Sequence, residues 1–227
     1  MKLLLTSAGI ANSSIAKALF EMVGKKGEDT SLVFIPTASN VEMGDKNWLI
    51  DDLVSLQKLN LKTIEIADIS AVPQDIWEPK FEAADVLFFE GGNTFYLMEW
   101  MNRSDLISVL PKYLETKVYV GVSAGSMVVC KDLALRQSQT LYDEDLEKTE
   151  NIAGLNLVDF YVLPHLNSNY FTKLREETIR QATSGMSETV YALDDQSAVK
   201  IDEGGIEIIS EGKWFCINGD EGKGTKI

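Results

Sequence analysis

The sequence predicts a doubly wound α/β fold, with a mainly parallel sheet and an antiparallel hairpin towards the C-terminus. The predicted strands are solid apolar runs, and amphipathic or polar helices separate them. Strands of a parallel sheet show no polar alternation, because crossover helices cover both faces. The length of 227 residues fits a single α/β domain, residues 1–227, since such domains often reach this size.

Strands and helices alternate through the first half of the chain. The predicted strands are short apolar runs at Leu3–Leu5, Leu32–Ile35, Val86–Phe89 and Val118–Val120, with a further, more polar strand at Lys62–Ile66. The predicted helices have apolar residues at helical spacing, at 15–23, 49–56, 76–84 and from about Thr94 onwards. This order is typical of βαβ units, which give a parallel sheet.

The regular alternation of strands and helices ends at about residue 150. One further strand is predicted at Phe160–Leu163, followed by a helix over Phe171–Thr183. Four short segments then follow, at Val190–Leu193, Ala198–Ile201, Ile206–Ile209 and Lys213–Ile217. Gly and Glu-Gly turns separate them, which is typical of antiparallel hairpins, so we expect an antiparallel edge here.

Composition and charge exclude several classes of function. With 21 basic and 35 acidic residues, the net charge of −14 disfavours a nucleic acid or an anionic membrane surface as partner. No stretch approaches the 18 apolar residues of a membrane span. Cys130 and Cys216 lack metal-site spacing, so we expect a reducing, cytoplasmic setting and no metal or organic cofactor.

The segment Gly121–Gly125 reads G-V-S-A-G, between an apolar strand and a helix-compatible stretch. This is the context of a nucleophile elbow, a sharp turn that lifts a serine above the carboxyl edge of the sheet. Small residues on either side of Ser123 let the backbone crowd, and the following helix offers free N–H groups. The alternative is an ordinary turn whose serine caps the helix.

A second glycine-containing turn, Glu90–Thr94, also follows a strand, where open α/β sheets place their ligand crevice. The N–H group of one glycine, together with that of Ala124, would form a two-donor oxyanion hole. The alternative is a strand–helix turn capped by Thr94.

The chain has one histidine, His165, just beyond the predicted strand at Phe160–Leu163. A serine nucleophile needs a neighbouring base, and imidazole is the commonest one near neutral pH. If the protein is a Ser-His enzyme, His165 must be that base; otherwise it is a structural or surface residue. The acid of a triad stays open, because several carboxylates compete: Asp132, Asp143, Glu144, Asp145, Asp194 and Asp195.

Four segments in this order, Phe34–Ala38, Gly91–Thr94, Gly121–Gly125 and Leu163–His165, resemble the aspartyl dipeptidase (dipeptidase E) family of serine peptidases. The related cyanophycinases share this layout, and the similarity spans roughly residues 1 to 200. The resemblance implies a flavodoxin-like fold, similar to class I glutamine amidotransferases, with a Ser-His-acid triad.

Carried over to this sequence, the resemblance places the nucleophile at Ser123 and the base at His165. Its oxyanion donors fall on Gly92 and Ala124. The acid matches best at Asp143, between the serine and the histidine. Asp132 and Asp145 remain possible, and Asp195, which resembles an acidic position of the cyanophycinases, is the main rival.

The resemblance also implies a small peptide substrate, a dipeptide with an N-terminal aspartate, whose side chain needs a cationic partner. Arg175 is the candidate for that partner, and Asn93 and Thr94 are the other predicted substrate contacts. The net charge of −14 opposes an acidic substrate unless the cleft is locally positive. We expect a monomer or homodimer. The alternatives are a catalytically silent ligand-binding relative and an esterase-type serine hydrolase.

Overall fold

The computed structural model describes residues 1–144 and 152–219. Its strands in these ranges are β1 (Lys2–Thr6), β2 (Ser31–Ile35), β3 (Thr63–Ile66), β4 (Val86–Phe89), β5 (Val118–Val122), β6 (Phe160–Leu163), β7 (Thr189–Leu193), β8 (Ser197–Asp202), β9 (Gly205–Ser210) and β10 (Trp214–Ile217). Its α-helices are α1 (Ser13–Val23), α2 (Asn47–Lys58), α3 (Gln74–Ala83), α4 (Thr94–Arg103), α5 (Leu106–Tyr113), α6 (Ala124–Met127), α7 (Leu135–Gln137) and α8 (Glu176–Ala182). Short 3₁₀ or π turns lie at Gly27–Asp29, Thr37–Val41 and Ser138–Tyr142.

The central sheet has seven strands in the order β3-β2-β4-β5-β1-β8-β9. The first five pair in parallel, β8 runs antiparallel to β1, and β9 runs antiparallel to β8. The predicted doubly wound α/β fold with a mainly parallel sheet is therefore confirmed. The chain passes outwards from β2 to β3 and returns through β4 to β5, so the strand order reverses between β2 and β4. Open α/β sheets bind ligands beyond the carboxyl ends of the strands near such a reversal.

Apolar residues of the strands pack into two cores, one on each face of the central sheet. Leu3 and Leu5 of β1 belong to one core, and Leu4 belongs to the other. Successive side chains of a strand point to opposite faces, so an uninterrupted apolar run is what a sheet covered on both sides requires. Helices α3, α4 and α5 cover the first face, and α1 and α2 cover the second.

The C-terminal region divides between two sheets, which the sequence did not predict. Strands β8 and β9 form a hairpin on the edge of the central sheet. Strands β7 and β10 instead join β6 in a second sheet of order β10-β7-β6, in which β6 and β7 are parallel. Pairing partners between distant strands depend on tertiary packing, so short apolar segments alone do not reveal them.

The predicted helix over Phe171–Thr183 is wrong in its first part. Helix α8 begins at Glu176, and Arg175 before it has an extended backbone. The ring of Phe171 stacks on the ring of His165, with 4.6 Å between centroids and 18° between planes. Phe171 therefore packs against a neighbouring loop and does not continue the apolar face of the helix.

In the described ranges, no helix has both the length and the apolarity needed to cross a membrane.

Candidate active site

The turn from β5 to α6 holds Ser123 in a strained backbone conformation, with φ 48° and ψ −106°. Such strain is typical of a nucleophile elbow. A Cβ atom at Gly121 would lie 2.5 Å from the carbonyl carbon of Gly125, and one at Gly125 would lie 2.2 Å from the carbonyl oxygen of Phe89. Both positions require glycine, because neighbouring backbone occupies the space of a side chain.

Helix α6 behind the serine has only four residues. Few aligned peptide units contribute to its dipole, so its electrostatic effect on a nearby oxyanion is small. The N–H group of Ala124 at its start still has no acceptor among the described residues. What the turn offers an oxyanion is therefore a hydrogen-bond donor.

His165 follows β6 and lies next to the serine. Its Nε2 is 2.9 Å from Oγ of Ser123, and its Nδ1 is 2.7 Å from Oδ1 of Asp195. An ionised carboxylate only accepts hydrogen bonds, so Nδ1 carries the proton and Nε2 is left to accept from the serine hydroxyl. The Phe171 ring covers one face of the imidazole, which helps to hold its orientation.

Asp195 lies in the turn between β7 and β8 and has a second partner, Ser7, at the end of β1. The hydroxyl of Ser7 donates to Oδ1 of Asp195 at 3.0 Å and accepts from the backbone N–H of His165 at 2.7 Å. Burial acts to raise the pKa of Asp195, but the hydrogen bonds from His165 and Ser7 outweigh it and hold the pKa below its ordinary value. Asp195 is therefore ionised and fixed against the imidazole.

The choice of Asp143 as triad acid is corrected by this geometry. Asp143 forms an ion pair with Lys173, and its side chain is 74% exposed. Asp132 accepts from the hydroxyl of Tyr161 at 2.8 Å, and Asp145 lies outside the described residues. A carboxylate that lies between Ser123 and His165 in the sequence need not contact the imidazole in the folded protein.

The turn after β4 brings two glycines next to the serine. A Cβ atom at Gly91 would lie 3.4 Å from Cβ of Ser123, and one at Gly92 would lie 2.3 Å from the carbonyl oxygen of Ala38. The N–H of Gly91 donates to Oε1 of Glu90 at 2.9 Å. The N–H of Gly92 has no acceptor among the described residues, so Gly92 and Ala124 are the donors left for an oxyanion.

The three predicted substrate contacts do not line the cleft. Oδ1 of Asn93 accepts from the N–H of Tyr96 at 2.9 Å and caps α4. Thr94 is fully buried, and its N–H and hydroxyl both donate to Oε1 of Glu144, at 3.0 and 3.1 Å. The guanidinium of Arg175 donates to backbone carbonyls of its own loop. These side chains stabilise local structure.

The cleft beside Ser123 has a volume of about 370 Å³. Met43, Trp48, Tyr170 and Phe171 are among the apolar and aromatic residues that line it. Among the described residues, five carboxylic acids and no Lys or Arg line it: Glu42, Asp52, Glu90, Glu144 and Asp195.

Three of these acids have raised pKa values. Burial raises the pKa of Glu90 well above its ordinary range, and the nearby Asp52 carboxylate raises it further. Burial likewise raises the pKa of Asp52. Glu144 is also buried, which raises its pKa to about 7 although Thr94 donates to it. Low polarity around a carboxyl group favours its neutral form.

Sequence reasoning missed Ser7 and Asp52. Nothing in the sequence distinguishes Ser7, because its role depends on loops that are more than 150 residues away in the chain. Asp52 did carry a signal. It lies three residues after Leu49 and four before Leu56, so a carboxylate stands on the apolar face of an amphipathic helix.

Comparison with known proteins matches residues 3–209 to the sequence profile of peptidase family S51. The chain belongs to this family. An uncharacterised peptidase of Listeria innocua is 29% identical over 186 residues, covering 81% of this chain and 86% of that protein. A peptidase E of Shewanella baltica strain OS185 is 33% identical over 141 residues, covering 61% of this chain and 54% of that protein.

Two solved structures share the fold. A Listeria monocytogenes crystal structure, reported provisionally as a peptidase E, superimposes with a TM-score of 0.75 at 25% identity, covering 93% of this chain and 98% of that one. A peptidase from an acI-B1 actinobacterium gives a TM-score of 0.69 at 17% identity, covering 94% and 88%. The resemblance drawn from the four sequence segments is thus confirmed at the level of family and fold.

Proposed function

We propose that this S51 family member is a serine-type peptidase that hydrolyses small peptides through an acyl-enzyme. The observation that carries the proposal is the continuous chain of hydrogen bonds from Asp195 through His165 to Ser123. Nucleophile, base and orienting carboxylate stand in the geometry that this chemistry requires. Membership of a peptidase family supports the same conclusion.

In the acylation step, Nε2 of His165 takes the hydroxyl proton as Oγ of Ser123 attacks the scissile carbonyl carbon. The carbonyl oxygen becomes an oxyanion, which the N–H groups of Gly92 and Ala124 stabilise, by about 3 kcal/mol for each donor. Asp195 stabilises the imidazolium that forms. The imidazolium then protonates the leaving amine, the C–N bond breaks, and an ester to Ser123 remains.

In the deacylation step, His165 takes a proton from water, and the resulting hydroxide attacks the ester carbonyl. The second tetrahedral intermediate uses the same two N–H donors. Its collapse returns the proton to Oγ of Ser123 and releases a carboxylic acid. This chain's own residues supply every proton transfer in the cycle.

The size of the cleft supports short substrates. Its volume of about 370 Å³ lies at the lower end of the range for small-molecule sites, which suits a dipeptide. The sequence resemblance adds a preference for an N-terminal aspartate. Arg175, its candidate partner, does not line the cleft, so that preference has no cationic partner among the described lining residues.

The test is hydrolysis of Asp-Leu, Glu-Leu, Leu-Leu and Lys-Leu by the wild type and by Ser123→Ala, His165→Ala and Asp195→Asn. We expect all three variants to lose activity, whereas Asp143→Asn retains it. A fluorophosphonate should add its mass to the wild type and not to Ser123→Ala. Unchanged turnover in the Ser123→Ala variant would refute the proposal. If the protein hydrolyses none of the peptides but hydrolyses nitrophenyl esters, the esterase alternative is favoured.

A further inference from the structure

Among the described residues that line the cleft, no Lys or Arg side chain accompanies the carboxyl groups. Asp195 has hydrogen-bond partners in His165 and Ser7, but Glu42, Asp52, Glu90 and Glu144 make no ion pair within the described residues. The other described lining residues are uncharged, apart from His165 and Asp195. Buried carboxylates without a partner destabilise a fold, so their presence in a cleft points to a ligand that supplies the missing charge.

Glu144 is the clearest case, because its two oxygens differ. Oε1 accepts two hydrogen bonds from Thr94 and secures the side chain at the start of α4. Oε2 is enclosed, with no exposed surface and no hydrogen-bond partner. A glutamine would accept the same two bonds through its amide oxygen, so holding α4 does not need a charge.

Glu90 and Asp52 form a second acidic position in the same cleft. Glu90 is fully buried; its Oε1 accepts from the N–H of Gly91, and its Oε2 finds no donor. Its neighbour is the carboxyl group of Asp52, which also accepts hydrogen bonds. Burial and the nearby Asp52 charge both raise the pKa of Glu90 and favour its neutral form, so the negative charge of this pair lies on Asp52.

The chemistry of this cleft fits an organic cation. In the described part of the chain, no group of three or more His, Cys, Asp or Glu side chains could hold a metal ion. An ammonium group offers three N–H donors, and a guanidinium group offers five. Either group would give Oε2 of Glu144 the donor it lacks, in a charge-assisted hydrogen bond.

We propose that a cationic group of the peptide substrate, an ammonium or a guanidinium, binds to Glu144 in the cleft, with the Asp52–Glu90 pair adding a second negative charge. The inference rests on the serine peptidase function proposed above and specifies its substrate class. It predicts selection against acidic side chains, the reverse of the aspartate preference that the resemblance implies.

Such a cation comes either from the free amino terminus of the peptide or from a basic side chain. Kinetics on Leu-Leu, Lys-Leu, Asp-Leu, N-acetyl-Leu-Leu and N-acetyl-Lys-Leu separate the two sources. If the amino terminus binds, acetylation of Leu-Leu lowers kcat/KM by about 10- to 100-fold, the range expected for one charged hydrogen bond. If the side chain binds, N-acetyl-Lys-Leu keeps its kcat/KM and Leu-Leu is the poor substrate. Asp-Leu is poor in either case.

The decisive variant is Glu144→Gln, which removes the charge and keeps the acceptor for Thr94. We expect it to lower kcat/KM for the preferred cationic peptide by about 10- to 100-fold and to leave N-acetyl-Leu-Leu unchanged. Glu177→Gln is the matched control, because it makes the same charge change at an exposed position of α8 that lies outside the cleft and forms no ion pair among the described residues. An equal loss on all peptides, or wild-type preference for N-acetyl-Leu-Leu or Asp-Leu, would overturn the inference.

Binding to the Ser123→Ala variant separates this inference from the proposed function. Calorimetry should show the preferred cationic peptide binding at least about tenfold more tightly than N-acetyl-Leu-Leu. If that result holds while the wild type hydrolyses no peptide, the serine peptidase proposal fails and cation recognition stands. If the wild type hydrolyses peptides through Ser123 but Ser123→Ala binds both peptides equally, cation recognition fails and the peptidase proposal stands.

Discussion

Replacing Glu144 by Gln should make the protein more stable at alkaline pH than the wild type. The carboxyl group of Glu144 is buried, and burial raises its pKa from 4.5 to about 7. The amide of Gln accepts the same hydrogen bonds from Thr94 without requiring a buried charge. The substitution therefore removes a desolvation penalty and keeps the local structure.

The magnitude follows from the two pKa values. One pKa unit corresponds to 1.36 kcal/mol, so the rise from 4.5 to about 7 represents about 3 kcal/mol. Below pH 4.5 the group is protonated in both states, and folding carries no penalty. As the pH rises towards 7, the unfolded chain releases its proton while the folded protein keeps it, so wild-type stability falls. Above pH 7 the full penalty of about 3 kcal/mol is present.

The assay is urea unfolding of the wild type and Glu144→Gln at pH 5 and pH 8. The stability difference between the two proteins should grow in favour of Gln by about 2 kcal/mol between these pH values. Glu177→Gln, an exposed control, should show no such growth. A difference that stays the same at both pH values would refute the reasoning, because it would mean that Glu144 titrates normally in the folded protein.

Three further substitutions test the candidate site. Asp195→Asn should lower kcat by about 10⁴-fold with an unchanged circular dichroism spectrum, because it disturbs the imidazole tautomer that accepts the serine proton. A variant with nearly full activity would show that Asp195 is not the acid of the triad. Ser7→Ala should lower kcat about tenfold at constant KM, since Ser7 only positions His165 and Asp195. A variant with a changed KM and an unchanged kcat would contradict this positioning role. Gly125→Ala should destabilise the fold by about 1–3 kcal/mol in urea titrations, because its Cβ would lie 2.2 Å from the carbonyl oxygen of Phe89. If the variant were as stable as the wild type, the turn would have room for a side chain at position 125.

The amino-acid sequence sufficed for the main sheet and for the family. Apolar runs such as Leu32–Ile35 and Val86–Phe89 predict strands covered on both faces, because only a doubly covered strand is apolar at every position. The elbow at Ser123 was also visible, since glycines at fixed positions beside a serine reflect a local steric requirement. Features that depend only on residues close together in the chain can therefore be predicted from the sequence.

Features that depend on distant segments required the folded chain. The division of the C-terminal strands between two sheets follows from long-range pairing, and so does the meeting of Ser7, His165 and Asp195 from three separate loops. In a chain with 35 acidic residues, many carboxylates fit the role of triad acid, and only their positions in space separate Asp195 from Asp143. The acidic character of the cleft has the same origin. Burial raises the pKa of Glu144, and burial together with the nearby Asp52 charge raises that of Glu90. Burial and the approach of these carboxyl groups to each other arise only when the chain folds.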